Sequence, residues 1–241
     1  MQPTSKEKTT PTNPGKPTED ICLKVLKHHF YDAANLLVKR DTRGDRSEYV
    51  FTEGRKALVS DLLMYFMRHS GSTLNPDKPL LIRGPVGCGK TMLFRIIREI
   101  SKTKDWVDIC GTDRGFKIEN CIDVADSYAR DGFKSLDRFV KREQVTKIVD
   151  GRLVPINYLL DDLGTDDTKK FYGNEINVLA KVIDARYNHW INSCLLTHIT
   201  TNLTSQEIET AYGTRVKSRM TQMYNEINIS DQTDYRSTLL V

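Results

Sequence analysis

Between Gly84 and Met92 the chain reads GPVGCGKTM, a stretch whose residue types and spacing suit one kind of chemistry. Gly84 and Gly89 let the backbone turn tightly enough for successive N–H groups to point at phosphate oxygens, and a helix opening near Lys90 adds its positive end. Lys90 is placed to reach the β and γ phosphates, and Thr91 to put its hydroxyl on Mg²⁺. The residues expected to cradle the nucleotide are Gly84, Pro85, Val86, Gly87, Cys88, Gly89, Lys90, Thr91 and Met92, with Cys88 a small tolerated residue inside the loop. ATP and Mg²⁺ are the implied ligands. A loop of this kind serves kinases, GTPases and motors alike, so the use of the energy has to be read further along the chain.

The run INYLLDDLG at 156–164 supplies the second half of such a site. Tyr158, Leu159 and Leu160 read as a buried strand whose end presents Asp161 and Asp162 in tandem. Asp161 is placed to hold Mg²⁺ through water, and Asp162 to orient or deprotonate the attacking water. Asp is one methylene shorter than the Glu of many ATPases, which predicts intrinsic turnover below about 1 per second. A further strand, CLLTHITTNL at 194–203, ends in Thr201 and Asn202; the amide is either a partner for the γ phosphate or water, or an ordinary strand-end turn residue. YGTRVKSRMTQMYNEINIS at 212–230 contains an amphipathic helix with Val216, Met220 and Met223 on one side. Arg215 and Arg219, four apart, share another face, and an arginine so placed can reach the γ phosphate of a neighbouring subunit. Lys90 and Asp162 are therefore candidate catalytic residues, with Thr91 and Asp161 for the metal, while Asn202, Arg215 and Arg219 stay open between such a role and an ordinary strand-end turn or solvated helix face.

Elements must position these groups. LLIR at 80–83 reads as a buried strand, and MLFRIIREI, with Leu93, Ile96, Ile97 and Ile100, as an amphipathic helix. The alternation of strands and helices after residue 80 is the pattern of an α/β protein with a parallel sheet and crossover helices. Upstream, Met1 to Asp20 holds Pro3, Pro11, Pro14 and Pro17 among Thr, Lys and Ser, the composition of a disordered tail. From Ile21 to Val38, Cys22, Val25, Leu26, His29, Ala33 and Leu37 fall on one helical stripe, suited either to packing or to docking a partner. A turn-rich DTRGDRSE leads to a short strand-like YVF at 49–51, and a second helix is expected from Gly54 to His69. The expected division is a tail at 1–20, a helical segment at 21–48 and an ATPase domain at 49–241.

Five cysteines with no CxxC spacing argue against a disulfide framework or a zinc site and point to a reducing, cytoplasmic setting. No apolar run approaches the roughly 20 residues of a membrane span, and no apolar segment follows the first charges. A formal charge of +4 is compatible with nucleic acid without demanding it.

With RGPVGCGKT, YLLDDLGT, LLTHITTN and YGTRVKSRM in that order, the chain resembles the DnaC/IstB group of AAA+ ATPases over roughly residues 50–237. The resemblance implies a P-loop parallel-sheet core with the helical lid reduced to a remnant. It implies Asn202 as first sensor, Arg219 as arginine finger and Arg236, in a D-x-R setting with Asp234 and Tyr235, as second sensor. It also implies ATP-dependent assembly into homo-oligomeric rings or spirals. The group's loaders touch single-stranded DNA shortly after the DDLG turn, where this chain has TKKFYGNE; Lys169 and Lys170 can meet phosphates, and Phe171 and Tyr172 can stack on bases. An inserted helix is expected within 119–140. The function implied is ATP-dependent loading of a hexameric, DnaB-like replicative helicase onto single-stranded DNA. Two alternatives stay open: an IstB-like transposition helper acting with a transposase on duplex DNA, and a nucleotide-switched adaptor with little hydrolysis.

Overall fold

Strands that are apolar on both faces need helices on both sides, and this chain supplies the two in alternation. The computed structural model describes residues 18–44, 48–149, 151–166, 169–171 and 174–229. Five strands form a parallel sheet: β1 (Leu80–Arg83), β2 (Phe116–Asn120), β5 (Asn157–Leu163), β8 (Thr197–Thr201) and β9 (Asn225–Asn228). Their order across the sheet is β2, β5, β8, β1, β9. The strand ending in Asn202 thus lies between the phosphate-loop strand and the strand carrying Asp161 and Asp162. All five residues of β8 are buried, which is what a central strand of a covered sheet requires.

One face is covered by α1 (Glu19–Asp41), α2 (Glu53–Phe66), α3 (Lys90–Ile100) and α4 (Lys104–Cys110), around Leu26, Phe30, Val59, Phe66, Phe94 and Trp106. The other is covered by α5 (Cys121–Asp131), α6 (Asp137–Val140), α7 (Val178–Ser193), α8 (Ser205–Tyr212) and α9 (Thr214–Met223). Two antiparallel hairpins are added, β3 (Thr146–Val149) with β4 (Arg152–Pro155), and β6 (Lys169–Phe171) with β7 (Asn174–Ile176). Beyond β8, α8, α9 and β9 follow within the described residues.

Several expectations need correction. The helix at 21–38 extends over Glu19–Asp41, and it buries Leu26, Phe30, Ala34 and Leu37. Cys22, Val25, His29 and Ala33, assigned to the inward stripe, are only half-buried. The stripe is rotated because Phe30, the largest apolar side chain nearby, takes the deepest position, against Tyr31 and Phe51. YVF at 49–51 is not a strand: the segment is irregular, held by the Tyr49 N–H donating to Asn35 Oδ1 and by Phe51 packing edge-on to Tyr31. The second helix ends at Phe66 rather than His69, since Arg68 adopts a left-handed φ of 56°. The 119–140 region is the end of β2, then α5, a 3₁₀ turn at Gly132–Leu136 and α6, interrupted at Gly132 with φ 60°. The 1–17 part of the expected tail lies outside the described residues.

His198, the second residue of β8, has a measurable consequence. It is buried among the rings of Phe66, Phe94 and Phe116, and its Nδ1 accepts from the Leu80 N–H at 3.1 Å. Burial, reinforced by the positive charge of Arg114, pushes its pKa down from 6.5 to about 3. A lowered folded-state pKa means that the unfolded chain binds the extra proton first. The imidazole's contribution is therefore complete above about pH 6.5 and is lost as the pH falls toward 3, at about 1.4 kcal/mol per pH unit. His198→Asn keeps an acceptor for Leu80 and removes this proton uptake. Urea unfolding across that range is expected to show a slope shallower by nearly one proton in the variant; identical slopes would contradict the assignment.

Candidate nucleotide site

The C-terminal ends of β1, β5 and β8 meet at a cavity of about 500 Å³, the place where parallel α/β sheets bind ligands. Its lining includes Val86, Gly87, Gly89, Lys90, Thr91 and Met92 from the loop, with Asp162, Thr165 and Asn202 from the neighbouring strand ends. The opposite wall comes from the end of α1 and the following segment, through Val38, Asp41, Thr42, Glu48, Tyr49 and Val50. Arg95 from α3 joins that wall and grips Asp41 with both guanidinium nitrogens, at 2.5 and 2.9 Å. The first helix therefore builds part of this cavity as well as packing on α2, α3 and α4.

The loop is as tight as the glycine pattern demands. A Cβ on Gly84 would lie 2.8 Å from the Ile229 carbonyl oxygen and 2.9 Å from Cys88 Sγ, so nothing larger fits. Gly87 and Gly89 sit at φ 82° and 85°, in the region where a side chain is strained. Pro85 continues the turn, and its carbonyl, like that of Gly84, accepts from Lys90 Nζ, at 2.9 and 2.8 Å. The ammonium is thus held at the mouth of the loop, at the opening of α3. Arg55, on α2, was not singled out from the sequence, yet it anchors this loop: its Nη2 donates to the Cys88 carbonyl at 2.7 Å. The signal was present in the spacing, because Arg55, Val59, Leu62 and Phe66 form one buried stripe with a charged first member.

Seventy positions apart in the chain, Thr91 and Asp161 touch: the threonine hydroxyl donates to Asp161 Oδ1 at 3.0 Å. The same oxygen accepts from Thr200 Oγ1 at 2.5 Å. Thr200 Oγ1 in turn accepts from the Asp162 N–H at 2.8 Å, so one β8 hydroxyl fixes both carboxylate-bearing residues. Asp162 adopts a left-handed φ of 56°, which breaks the strand alternation and allows it to line the cavity beside Asp161. Burial pushes the Asp161 carboxyl up and the neighbouring Asp162 charge adds to that, against hydrogen bonds from Thr200 and Thr91 and the charge of Lys90.

A buried, proton-hungry carboxylate facing a threonine hydroxyl fits a hard dication. Among the described residues there is no cluster of three or more His, Cys, Asp or Glu able to cage a metal by themselves.

Arg219 lies elsewhere. With Arg215 it borders a second cavity, of about 420 Å³, lined also by Phe133, Val140, Lys141, Lys181 and Asp184, which shares no lining residue with the first. The backbone of Lys169, Lys170 and Phe171 forms the first strand of the second hairpin. Both feet of that hairpin are tied to the end of α8: Tyr212 Oη donates to Asp166 Oδ1 at 2.5 Å, and Asn177 Nδ2 to the Ala211 carbonyl at 2.8 Å. Tyr172, Asp234, Tyr235 and Arg236 lie outside the described residues.

No family model and no curated protein matches this chain in sequence. In structure it is similar to a candidate primosome component from Streptococcus pyogenes serotype M3, at a TM-score of 0.50 and 18% identity, over 76% of this chain and 82% of that one. What the two share is the fold, a five-stranded parallel sheet covered by helices on both faces. A DnaC helicase loader gives a TM-score of 0.48 at 18% identity, over 76% of this chain and 93% of its own. DnaI gives 0.48 at 15%, over 77% and 87%. Identities this low speak to the fold alone.

Proposed function

We propose that this chain is an ATP-hydrolysing helper of DNA replication that loads a hexameric replicative helicase onto single-stranded DNA. The observation that carries the ATPase part is the convergence of Lys90, Thr91, Asp162 and Asn202 on one cavity, with Asp161 buried just behind it and hydrogen-bonded to Thr91. The replication part is supported by the order and spacing of the four motifs, which are those of the DnaC/IstB group.

In this reading the loop N–H groups and Lys90 bind the β and γ phosphates. Thr91 and Asp161 would hold Mg²⁺, which supplies charge neutralisation on those phosphates when bound. Asp162 accepts a proton from the attacking water as its oxygen bonds to the γ phosphorus and the bond to ADP breaks. Asn202 orients the water or a γ oxygen. Arg219 of one copy meets the γ phosphate held by the next, which suits its place in a separate cavity. Lys169, Lys170, Phe171 and Tyr172 then face single-stranded DNA in the assembled homo-oligomer, and Arg236 is a second sensor.

The test is a loading reaction with a DnaB-like hexameric helicase on a closed single-stranded circle, scored by strand separation. Wild-type protein with ATP is expected to give loading, and Lys90→Ala none; loading by that variant at the wild-type level would overturn the proposal. Stimulation by duplex DNA together with a transposase would instead favour the transposition helper.

A further inference from the structure

The partners of Arg219 come from α7. Its Nη1 lies 2.6 Å from Asp184 Oδ1 and 3.4 Å from the Asp184 carbonyl oxygen. The guanidinium carbon sits 4.7 Å from the centroid of the Tyr187 ring, one α-helical turn further along. Nη2 and Nε of Arg219 have no hydrogen-bonding partner among the described residues, and the side chain is 17% exposed. Nη1 is thus held by its ion pair with the Asp184 carboxylate and a long hydrogen bond to the Asp184 carbonyl, and the plane is backed by a ring, while Nε and Nη2 are left for another partner. Arg215, by contrast, is 74% exposed, and its Nε is 3.7 Å from Asp184 Oδ2, too far for a hydrogen bond.

We propose that Asp184, seated beside Tyr187, is the positioning residue for Arg219: it fixes the guanidinium so that its free edge is presented to the terminal phosphate bound by a second copy of this chain. The inference rests on the reading of Arg219 as acting between copies. A free arginine samples many rotamers and loses that freedom when it binds. Pairing with Asp184 removes most of it beforehand, which is the form of preorganisation that raises the rate without changing nucleotide affinity. The surroundings suit an incoming anion. Lys141 in the same cavity is already paired with Asp137, which leaves Lys181 and Arg215 as additional positive charge around Arg219.

The experiment mixes two kinds of full-length subunit. The acceptor carries Arg219→Ala, so its own nucleotide site is intact but it offers no arginine. The donor carries Asp162→Asn, so it does not hydrolyse but offers Arg219. ATP turnover by the mixture above that of either alone establishes action between copies, and its absence would overturn that reading and the inference with it. Given complementation, adding Asp184→Asn to the donor is expected to lower the complemented rate about tenfold, and Asp184→Glu to restore at least about half of it. The same Asp184→Asn in the acceptor, which has no Arg219 to hold, is expected to change the rate less than about twofold. Equal losses from donor and acceptor would mean a merely structural role, and no loss in the donor would likewise overturn the inference.

Discussion

Lys90→Ala is expected to weaken ATP binding about 10²-fold and to abolish helicase loading. Lys90 is only 6% exposed and its ammonium is already gathered at the mouth of the loop by the Gly84 and Pro85 carbonyls. Charge-assisted hydrogen bonds to phosphate contribute about 1.5–3 kcal/mol each, so losing contacts to two phosphates accounts for that factor. The backbone of the loop is set by Gly84, Gly87, Gly89 and Arg55 rather than by Lys90, so the variant should remain folded. Titration with a fluorescent ATP analogue, alongside a melting curve, separates the two effects. A melting temperature unchanged and a Kd unchanged together would contradict the placement of the triphosphate.

Arg219→Ala is expected to act in the opposite way, leaving the Kd for ATP within about twofold of wild type and lowering assembly-dependent turnover by about 10³. That loss corresponds to about 4 kcal/mol of transition-state stabilisation. The separation of effects follows from the two cavities: no residue that lines the nucleotide cavity lines the one beside Arg219. Turnover measured against protein concentration provides the check, since a group acting between copies matters only once copies associate. Loss of ATP affinity in the variant at low protein concentration would place Arg219 at its own subunit's site instead.

What could be read from the sequence was the chemistry that sits on contiguous residues. The phosphate loop needs its glycines, lysine and threonine within one short segment, so GPVGCGKT carries its own geometry. The pair Asp161 and Asp162 stood out because it closes a buried apolar run about 70 residues after the phosphate loop, where an ordinary solvated turn or helix cap is the less common use of two carboxylates. Asn202 was singled out by the resemblance of LLTHITTN to the DnaC/IstB group, and the sheet order sets its strand between the other two.

What escaped was decided by groups distant in the chain. Thr200 is one β-residue among several, and only the register of β5 beside β8 brings its hydroxyl to Asp161. Asp184 looks like a solvated helix residue until α9 packs on α7 and sets Arg219 against it. The inward face of α1 was misjudged because helical spacing there permits two adjacent stripes; the bulk of Phe30 selected one. The hairpin of β3 and β4 was missed because Ile148 and Leu153, which oppose each other, are both about 70% exposed and so give no alternating burial signal in this short segment. YVF at 49–51 has strand-forming residues but joins no strand among the described residues, and Phe51 packs on Phe30 and Tyr31 of α1 instead.

The most direct test of an ATPase working between copies on single-stranded DNA is the rate of ATP hydrolysis by purified wild-type protein, alone, with single-stranded DNA and with duplex DNA. The predicted result is a basal rate below about 1 per second that rises with single strands, does not rise with duplex, and fails to rise in Arg219→Ala. A rate indifferent to single-stranded DNA, or one that Arg219→Ala leaves unchanged, would contradict the account.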